Sequence, residues 1–407
     1  MHIGLCSPHW PPSLGANGIV SYVAAVRDHF IARGHEVSVI SQERLYASDG
    51  SAVPLAARGA GRIMASIGEK FARLREDAKG ALPEVGRNVA RQIAAAHQIR
   101  PFDIVEMEES FGWSESAGRA IAAPVVTRLH GPQALKPPRH LTDEELRDER
   151  DRCAAEARAV RSAPVVTAPT QAIMAGACRS YGRDPAQTSA VIANPIRLRA
   201  NTPRWSLEGA DPDHVLMVGR FDFWKGADTM LLGFEHLLRL RPHARLTMVG
   251  PDEGLETRPG ERLSFEQFAQ ARLSPEVRAR ITYRGLLKPA EILPLRMSAM
   301  ATVISSRWEN FPYILLEAMA AGSPLVSTDW PGADEIVLDG RSGLLSPVAD
   351  PAPLALALDR LLGDPQRAAA MGQAARDRCA AEFSLEVVGD KLLDCYARTI
   401  GPAGCRP

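Results

Sequence analysis

The chain has 407 residues, a length that predicts two or three domains at about 150 residues each. Its 48 Lys and Arg residues balance its 48 Asp and Glu residues, which argues against a broad nucleic-acid-binding surface. The six cysteines form no C-x-x-C pair and are too few for a disulfide scaffold, so we expect reduced thiols and a cytoplasmic location. We predict no transmembrane segment.

Short apolar runs alternate with longer helix-like segments along the chain, the pattern of parallel α/β folds. The candidate strands of the first half are residues 3–6, 37–41, 103–107, 124–129, 165–168 and 190–193. Those of the second half are residues 215–218, 245–249, 281–283, 301–304, 325–327 and 343–345. We therefore predict two doubly wound parallel-sheet domains of similar size rather than one large sheet.

The segment 197–213 is the predicted domain boundary, because it contains proline and glycine without a clear period. The predicted domains are residues 1–200 and 213–385, and residues 386–407 form a last helix expected to pack back on the first domain. Residues 58–91 carry an apolar stripe at helical spacing and eight basic side chains against four acidic ones. An amphipathic helix with a solvated basic face is the simpler interpretation. Capture of a substrate or contact with a membrane surface is the alternative.

Unusual polar residues follow several of these strands, at the sheet edge where doubly wound folds bind ligands. A glycine loop of Gly15, Ala16, Asn17 and Gly18 follows the first strand and precedes a helix, which suits a phosphate. His130 ends a strand of the first half, and Arg220, Lys225, Gly250 and Glu309 follow strands of the second half. Each feature alone has an ordinary structural explanation, but their shared position predicts one site.

Two carboxylates in the second half are separated by seven residues, Glu309 in a loop and Glu317 in the predicted first turn of a helix. A carboxylate accepts two hydroxyl hydrogen bonds and therefore suits a sugar or ribose diol. Glu317 interrupts an apolar run, where an unpaired carboxylate would be costly, so we expect a functional role. The D-x-D at Asp211 and Asp213 contains a proline and lies in the predicted linker, so we interpret it as a turn and predict no metal site.

Three ordered blocks resemble the family 4 retaining glycosyltransferases, which have the two-Rossmann GT-B fold. They are PPSLGANG with the helix and GHEV turn that follow it, VGRFDFWKGADTMLLGF, and SSRWENFPYILLEAMAAG with its E-x(7)-E spacing. The resemblance covers nearly the whole chain. It implies two Rossmann-like domains that face each other across a cleft, an N-terminal acceptor-binding domain and a C-terminal nucleotide-sugar-binding domain.

The resemblance also implies a role for each matching residue. Arg220 and Lys225 would hold the donor diphosphate, Glu317 the ribose diol and Glu309 a hydroxyl of the donor sugar. His130 would lie near the reacting face of the sugar. The remaining donor-binding residues implied are Gly15, Ala16, Asn17, Gly18, Gly250, Leu286, Asn310 and Phe311.

The activity implied is transfer of a sugar from a UDP- or GDP-sugar to a hydroxyl of a small-molecule, saccharide or lipid-linked acceptor. Retention would follow from front-face attack, without a metal or other cofactor. A sugar-nucleotide epimerase, a phosphorylase and a non-catalytic sugar-nucleotide-binding protein are the alternatives. The chain departs from the family pattern at Ala16, which adds a Cβ to the loop, and at Pro312, which has no N–H to donate.

Overall fold

The computed structural model describes residues 1–14, 17–55, 82–139, 141–198 and 203–401. The chain divides into two compact units, and the first contains Met1–Lys136, Asp143–Arg197 and Leu385–Pro407. The second contains Pro137–Thr142 and Leu198–Ser384. Each unit is built around its own sheet with helices packed on it.

The first unit contains an eight-stranded sheet in the order β4-β3-β2-β1-β5-β6-β7-β8. Its strands are β1 His2–Cys6, β2 Glu36–Ser41, β3 Arg44–Tyr46, β4 Ala52–Pro54, β5 Ile104–Glu108, β6 Val125–Arg128, β7 Val165–Ala168 and β8 Ser189–Val191. Pairing is parallel except at the β2–β3 and β3–β4 hairpins. Its described helices are α1 Gly18–Ala32, α2 Leu82–Ile99, α3 Trp113–Ala120, α4 Asp143–Ser162, α5 Gln171–Tyr181 and a C-terminal helix Leu385–Ile400.

The second unit contains a six-stranded parallel sheet in the order β13-β10-β9-β14-β15-β16. Its strands are β9 Asp211–Val218, β10 Arg245–Val249, β13 Ile281–Tyr283, β14 Ala299–Ile304, β15 Leu325–Thr328 and β16 Leu344–Ser346, and β11 Leu255–Arg258 pairs with β12 Glu261–Leu263 in a separate hairpin. The helices are α6 Ala227–Leu240, α7 Phe265–Arg272, α8 Pro275–Arg278, α9 Pro289–Ser298, α10 Tyr313–Ala321, α11 Pro351–Gly363 and α12 Pro365–Arg378, with a π-turn at Cys379–Phe383. The C-terminal helix of the first unit is called α13.

Burial on both faces of each sheet explains the apolar runs of the central strands, whereas the edge strands β8 and β13 are partly exposed. All six residues of β14 are buried, as expected for a parallel strand covered by helices on both sides. Side chains mark the helix ends: Thr170 accepts the N–H of Ile173 at the start of α5, and Gly182 ends that helix in the left-handed region. Helix α13 packs on α1, where His29 Nε2 lies 2.8 Å from Asp390 Oδ1.

All twelve predicted strands are present, with ends that shift by a few residues. The sequence analysis missed β3, β4, β11 and β12, because each is a strand of three or four residues in an antiparallel hairpin without an apolar run. Of the predicted amphipathic segment 58–91, residues 82–91 begin helix α2, and residues 58–81 lie outside the described residues.

Two boundary predictions need correction. The predicted linker 197–213 ends too late, because β9 already begins at Asp211. The predicted first domain, residues 1–200, is not continuous, because Pro137–Thr142 belongs to the second unit. Within that unit, Arg139 Nη1 donates to Glu256 Oε1 at 2.9 Å, and its guanidinium lies 5.7 Å from the centre of the Trp224 ring. Arg139 thus contacts residues that are far away in sequence, and no local sequence pattern could predict such a contact.

Gly112 connects β5 to α3 and permits a close approach of backbone to backbone. Its φ is +70°, and an added Cβ would lie 2.3 Å from the carbonyl oxygen of Ala155 on α4. Gly34 has a φ of +81° with nothing within 4 Å of such a Cβ. The two glycines therefore share a left-handed backbone and differ in the space around them.

We expect Gly34→Ala to lower the free energy of unfolding by roughly 1–2 kcal/mol, the cost of the left-handed backbone alone. Gly112→Ala should lower it by roughly 1–3 kcal/mol more, because α4 must also move. Chemical denaturation of both variants measures the difference. Equal losses would contradict the close approach of Gly112 to α4.

Candidate active site

Arg220, Lys225 and Glu309 are joined by a continuous set of polar contacts in the second unit. Arg220 Nε lies 2.7 Å from Asp222 Oδ2, and the backbone N–H of Lys225 donates to Asp222 Oδ1 at 2.7 Å. Lys225 Nζ lies 2.5 Å from Glu309 Oε1, which also accepts the Ser306 hydroxyl at 2.7 Å. The structure therefore brings together, at the carboxyl ends of β9 and β14, three residues that the sequence predicted for one site.

Gly226 allows these two strand ends to approach each other. Its φ is +60°, and an added Cβ would lie 2.0 Å from the carbonyl oxygen of Ser305. The Ser305 hydroxyl in turn donates to the carbonyl oxygen of Lys225 at 2.9 Å. Helix α6 begins at Ala227, directly after Gly226, so Lys225 lies just before a helix N-terminus. A cation and a helix N-terminus at one place form an environment that favours an anionic group.

The residues after Glu309 lead directly into α10. Pro312 is the N-cap of that helix, and its carbonyl accepts the N–H of Leu315 at 3.1 Å. An N-cap residue contributes its carbonyl, so the missing N–H of Pro312 does not weaken the helix. Asn310 and Phe311 are buried, and the Phe311 ring packs edge-on against Phe383 with centroids 5.5 Å apart. The Phe311 side chain therefore belongs to the core of the unit.

The argument from the sequence about Glu317 needs correction. Glu317 is the fifth residue of α10, so it lies in the second turn rather than the first. Its side chain is 44% exposed, and its Oε2 lies 2.8 Å from Nη2 of Arg296, a buried side chain on α9. It is therefore neither buried nor unpaired, and its place in an apolar run does not by itself require a ligand. The remaining lone pairs of the half-exposed carboxylate stay available to hydroxyl groups.

The two other predicted residues of this unit lie in loops after neighbouring strands. Gly250 follows β10, and its carbonyl accepts the Tyr283 hydroxyl at 2.7 Å. Its N–H donates to the carbonyl of Gly285 at 2.8 Å, which ties the loops after β10 and β13 together. Leu286, in the second of these loops, is 77% exposed.

In the first unit, the described part of the predicted glycine loop is a helix start. Asn17 is the N-cap of α1, and its Oδ1 accepts the N–H of Val20 at 2.8 Å. Gly18 is the first residue of the helix. Gly15 and Ala16 lie outside the described residues. The Asn17 side chain is thus engaged in capping the helix.

His130 follows β6 and lies in a crowded polar environment. Its ring packs edge-on against Tyr22 with centroids 4.9 Å apart, and the buried Arg128 guanidinium lies 4.4 Å from the centre of the Tyr22 ring. Burial, together with the Arg128 cation, holds the pKa of His130 well below its usual range. The imidazole is therefore neutral near pH 7 and presents one donor and one acceptor nitrogen.

Two buried carboxylates, which the sequence analysis missed, hold the loop that carries His130. Glu109 accepts the N–H groups of His130 and Gly131, each at 2.7 Å. Glu156 accepts the N–H of Gln133 at 2.8 Å and the Tyr181 hydroxyl at 2.5 Å. Burial, and after it the nearby Glu156 charge, raises the pKa of Glu109 to about 8 despite the two backbone donors. The position of Glu109 directly after β5 was the signal in the sequence.

Asp222 and Ser306 were also missed. Asp222 lies two residues after Arg220, and Ser306 lies three residues before Glu309, so both were visible as polar residues at strand ends.

The interpretation of Asp211 and Asp213 as a turn in the linker was wrong, because both residues belong to strand β9, where Asp211 contacts Arg245. Within the described ranges, no group of three His, Cys, Asp or Glu side chains could hold a metal ion. Over the same part of the chain, every helix is too short or too polar to cross a membrane.

Two protein families match consecutive parts of the chain. Glycosyltransferase Family 4 matches residues 16–199, and Glycosyl transferases group 1 matches residues 201–378. The glycogen synthase of Mycobacterium tuberculosis is 32% identical over 205 residues, which cover 49% of this chain and 47% of that protein. The chain thus spans about half the length of several curated relatives it matches.

Solved structures of other proteins have a similar fold over almost the whole chain. Sucrose-phosphate synthase of Thermosynechococcus elongatus has a TM-score of 0.76 at 22% identity, over 97% of this chain and 98% of that one. The Anabaena protein Alr3699/HepE, in complex with UDP-glucose, has a TM-score of 0.65 at 17% identity, over 97% of this chain and 99% of that one. Two α/β units, each with a parallel or mainly parallel sheet covered by helices, are the architecture of the GT-B fold, and these solved structures share it. The chain belongs to the family 4 type of GT-B glycosyltransferases.

The raised pKa of Glu109 makes the free energy of unfolding depend on pH, and this dependence can be tested. Because the carboxyl group binds its proton more tightly in the folded chain than in the unfolded chain, this group destabilises the fold as the pH rises from about 4.5 to about 8. We expect Glu109→Gln to reduce the fall of the unfolding free energy with pH over this range. His130 contributes in the opposite direction in both proteins, so the difference reports Glu109 together with its effect on the neighbouring Glu156 and Glu108 carboxyl groups. Denaturation curves at several pH values, with the exposed Glu386→Gln as control, measure the slopes. Identical slopes for wild type and Glu109→Gln would contradict the buried carboxyl.

Proposed function

We propose that the protein transfers a sugar from a nucleotide-diphosphate sugar, with a UDP- or GDP-sugar as donor, to a hydroxyl of an acceptor. The observation that carries the proposal is the continuous contact Arg220–Asp222–Lys225–Glu309 at the ends of β9 and β14. It places two cations at a sheet edge, each paired with a carboxylate, an arrangement that suits a diphosphate linked to a hydroxyl-bearing sugar. The Anabaena protein in complex with UDP-glucose supports this class of donor.

In this proposal, Arg220 and Lys225 stabilise the diphosphate as negative charge develops on it. Glu309 accepts a hydroxyl of the donor sugar and, by pairing with Lys225, fixes the direction of the ammonium group. Glu317 accepts hydroxyls of the ribose, and the contact with Arg296 holds its carboxylate in place. These positions are preorganised by contacts that exist before the donor binds, which is the main source of electrostatic stabilisation in enzymes.

The reaction we propose proceeds with retention by front-face attack. The bond between the anomeric carbon and the diphosphate oxygen breaks, and the acceptor oxygen bonds to the same face of that carbon. The acceptor proton passes to an oxygen of the leaving diphosphate, so no separate protein base is needed. A neutral His130 suits a position near the sugar, because it can hydrogen-bond a hydroxyl without adding a charge.

Loss of either cation should affect turnover more than donor affinity. We expect Arg220→Ala and Lys225→Met each to lower kcat by roughly 100- to 1,000-fold, because the charge on the diphosphate is greatest in the transition state. Arg239→Ala, which removes an exposed arginine of α6, is the matched control. Release of nucleoside diphosphate from a panel of UDP- and GDP-sugars, followed with each variant, gives kcat and KM. Near-normal turnover in both variants would place the diphosphate elsewhere.

We further propose that the two cations replace a divalent metal ion. Turnover should therefore survive an excess of EDTA at the wild-type rate. The same assay of nucleotide release measures this, with a metal-dependent enzyme treated in parallel to verify chelation. Loss of turnover with EDTA and its recovery on addition of Mg²⁺ or Mn²⁺ would contradict the proposal.

A further inference from the structure

A chain of contacts joins helix α13 to His130 through three buried side chains of the first unit. Tyr396 on α13 donates its hydroxyl to Glu106 Oε2 at 2.6 Å, across 290 positions of sequence. The hydroxyl of Tyr22, on α1, faces the same carboxyl group. The Tyr22 ring also contacts the His130 ring, with centroids 4.9 Å apart and ring planes at 70°. Glu106 therefore connects two tyrosine hydroxyls, and Tyr22 extends the connection to His130.

The guanidinium of Arg128 holds the face of the Tyr22 ring. It lies 4.4 Å from the ring centre, a distance at which a cation is attracted to an aromatic face. Its Nη2 donates to the carbonyl oxygen of Ile192 at 2.9 Å and to Asn194 Oδ1 at 2.8 Å. Arg128 and Tyr22 are both fully buried. The Tyr22 ring is thus held at its face by Arg128 and at its hydroxyl end by Glu106.

The carboxyl group of Glu106 depends on these contacts because it lies in the interior. Burial raises its pKa, whereas the Arg128 cation and the hydroxyls of Tyr396 and Tyr22 lower it. A buried polar group that loses a partner is costly, and the groups that remain rearrange to satisfy it. Loss of the Tyr396 hydroxyl is therefore expected to shift Glu106, and with it the hydroxyl and ring of Tyr22.

The backbone and the ring of His130 are held by different groups. Glu109 accepts the backbone N–H of His130, which fixes the loop but leaves the imidazole able to rotate about its side-chain bonds. The contact with Tyr22 acts on the ring itself. His130 is only half-buried, whereas Tyr22 and Arg128 behind it are fully buried. The imidazole is thus supported on its inner side and remains accessible on the other.

We propose that Tyr22 and Tyr396 are positioning residues for His130, joined by Glu106, so that helix α13 sets the direction in which the His130 ring faces the sugar. The inference rests on the proposed function, which places His130 near the donor sugar. It adds three residues that act through His130 rather than by contact with a substrate.

Variants of the two tyrosines test the effect on turnover. Tyr22→Leu removes the ring that contacts His130, and we expect kcat to fall by roughly 10- to 100-fold, as for a misplaced catalytic group. Tyr22→Phe and Tyr396→Phe keep the rings and remove one hydroxyl each. Each should lower kcat by roughly 3- to 10-fold, the loss of one hydrogen bond. Donor KM and nucleoside diphosphate affinity should match the wild type, because the proposed diphosphate site lies in the second unit.

Asp390→Asn is the matched control on the same helix. Asp390 contacts His29 and Arg33 of α1, so this variant weakens the packing of α13 on α1 without touching Glu106. We expect kcat to remain at the wild-type value. A fall of kcat in Tyr396→Phe but not in Asp390→Asn therefore reports the hydroxyl contact and not the docking of the helix.

NMR of the His130 ring gives a readout that does not depend on activity. Ring ¹H–¹⁵N correlation spectra are recorded with ¹⁵N-labelled histidine, and the His130 signal is the one absent from His130→Asn. We expect this signal to move in Tyr396→Phe, although residue 396 does not touch His130, and to stay in place in Asp390→Asn. The two Phe variants retain the buried rings, so they decide the question even if Tyr22→Leu does not fold.

An unmoved His130 signal in Tyr396→Phe, or an equal fall of kcat in Tyr396→Phe and Asp390→Asn, would overturn the inference and leave the donor proposal standing. A wild-type chain that binds no nucleoside diphosphate and turns over no donor would instead overturn the proposed function. In that case the ring signals still decide whether these contacts orient His130.

Discussion

The contact between Lys225 and Glu309 is the interaction on which the candidate site depends. The side chains are only 19% and 11% exposed, and their charged atoms lie 2.5 Å apart. Taking two charges out of water costs several kcal/mol per ion, and replacing such a pair with neutral groups often leaves a protein as stable or more so. Stability therefore does not explain why the chain places these charges here. The donor-binding role proposed above offers an explanation, because an ammonium and a carboxylate held after two strand ends suit an anion and a hydroxyl.

The first unit uses buried carboxylates in a related way. Glu109 and Glu156 accept backbone N–H groups of residues 130–133 and so fix the loop after β6. The cost is visible in Glu109, whose pKa rises to about 8 because burial opposes its charge. In both units, acidic side chains hold the loops that follow parallel strands. The sheets hold the strand ends in fixed positions, and the buried polar contacts fix the orientation of the functional groups that follow them.

The sequence predicted the parts of this structure that depend on local pattern. The central parallel strands are buried and apolar, and the edge strands β8 and β13 carry short apolar runs although they are partly exposed, so all twelve were visible. Arg220, Lys225 and Glu309 were visible because they follow such strands. Contacts between residues distant in sequence were not visible. The pairing of Glu317 with Arg296, the placement of Pro137–Thr142 with the second unit through Arg139 and Glu256, and the two N–H bonds of Glu109 all arise from tertiary packing. For Glu317, the apolar neighbours suggested a buried carboxylate, whereas α9 provides a partner and the side chain remains half exposed.

The double variant Lys225→Met/Glu309→Gln tests the central claim most directly, because it removes both charges without leaving either one unpaired. Its unfolding free energy and its release of nucleoside diphosphate from a donor are measured beside those of the wild type. If the pair exists for binding, the free energy of unfolding stays within about 1 kcal/mol of the wild-type value or rises, while turnover falls by at least ~100-fold. A loss of several kcal/mol of stability with turnover preserved would show that the pair holds the fold and that the donor binds elsewhere.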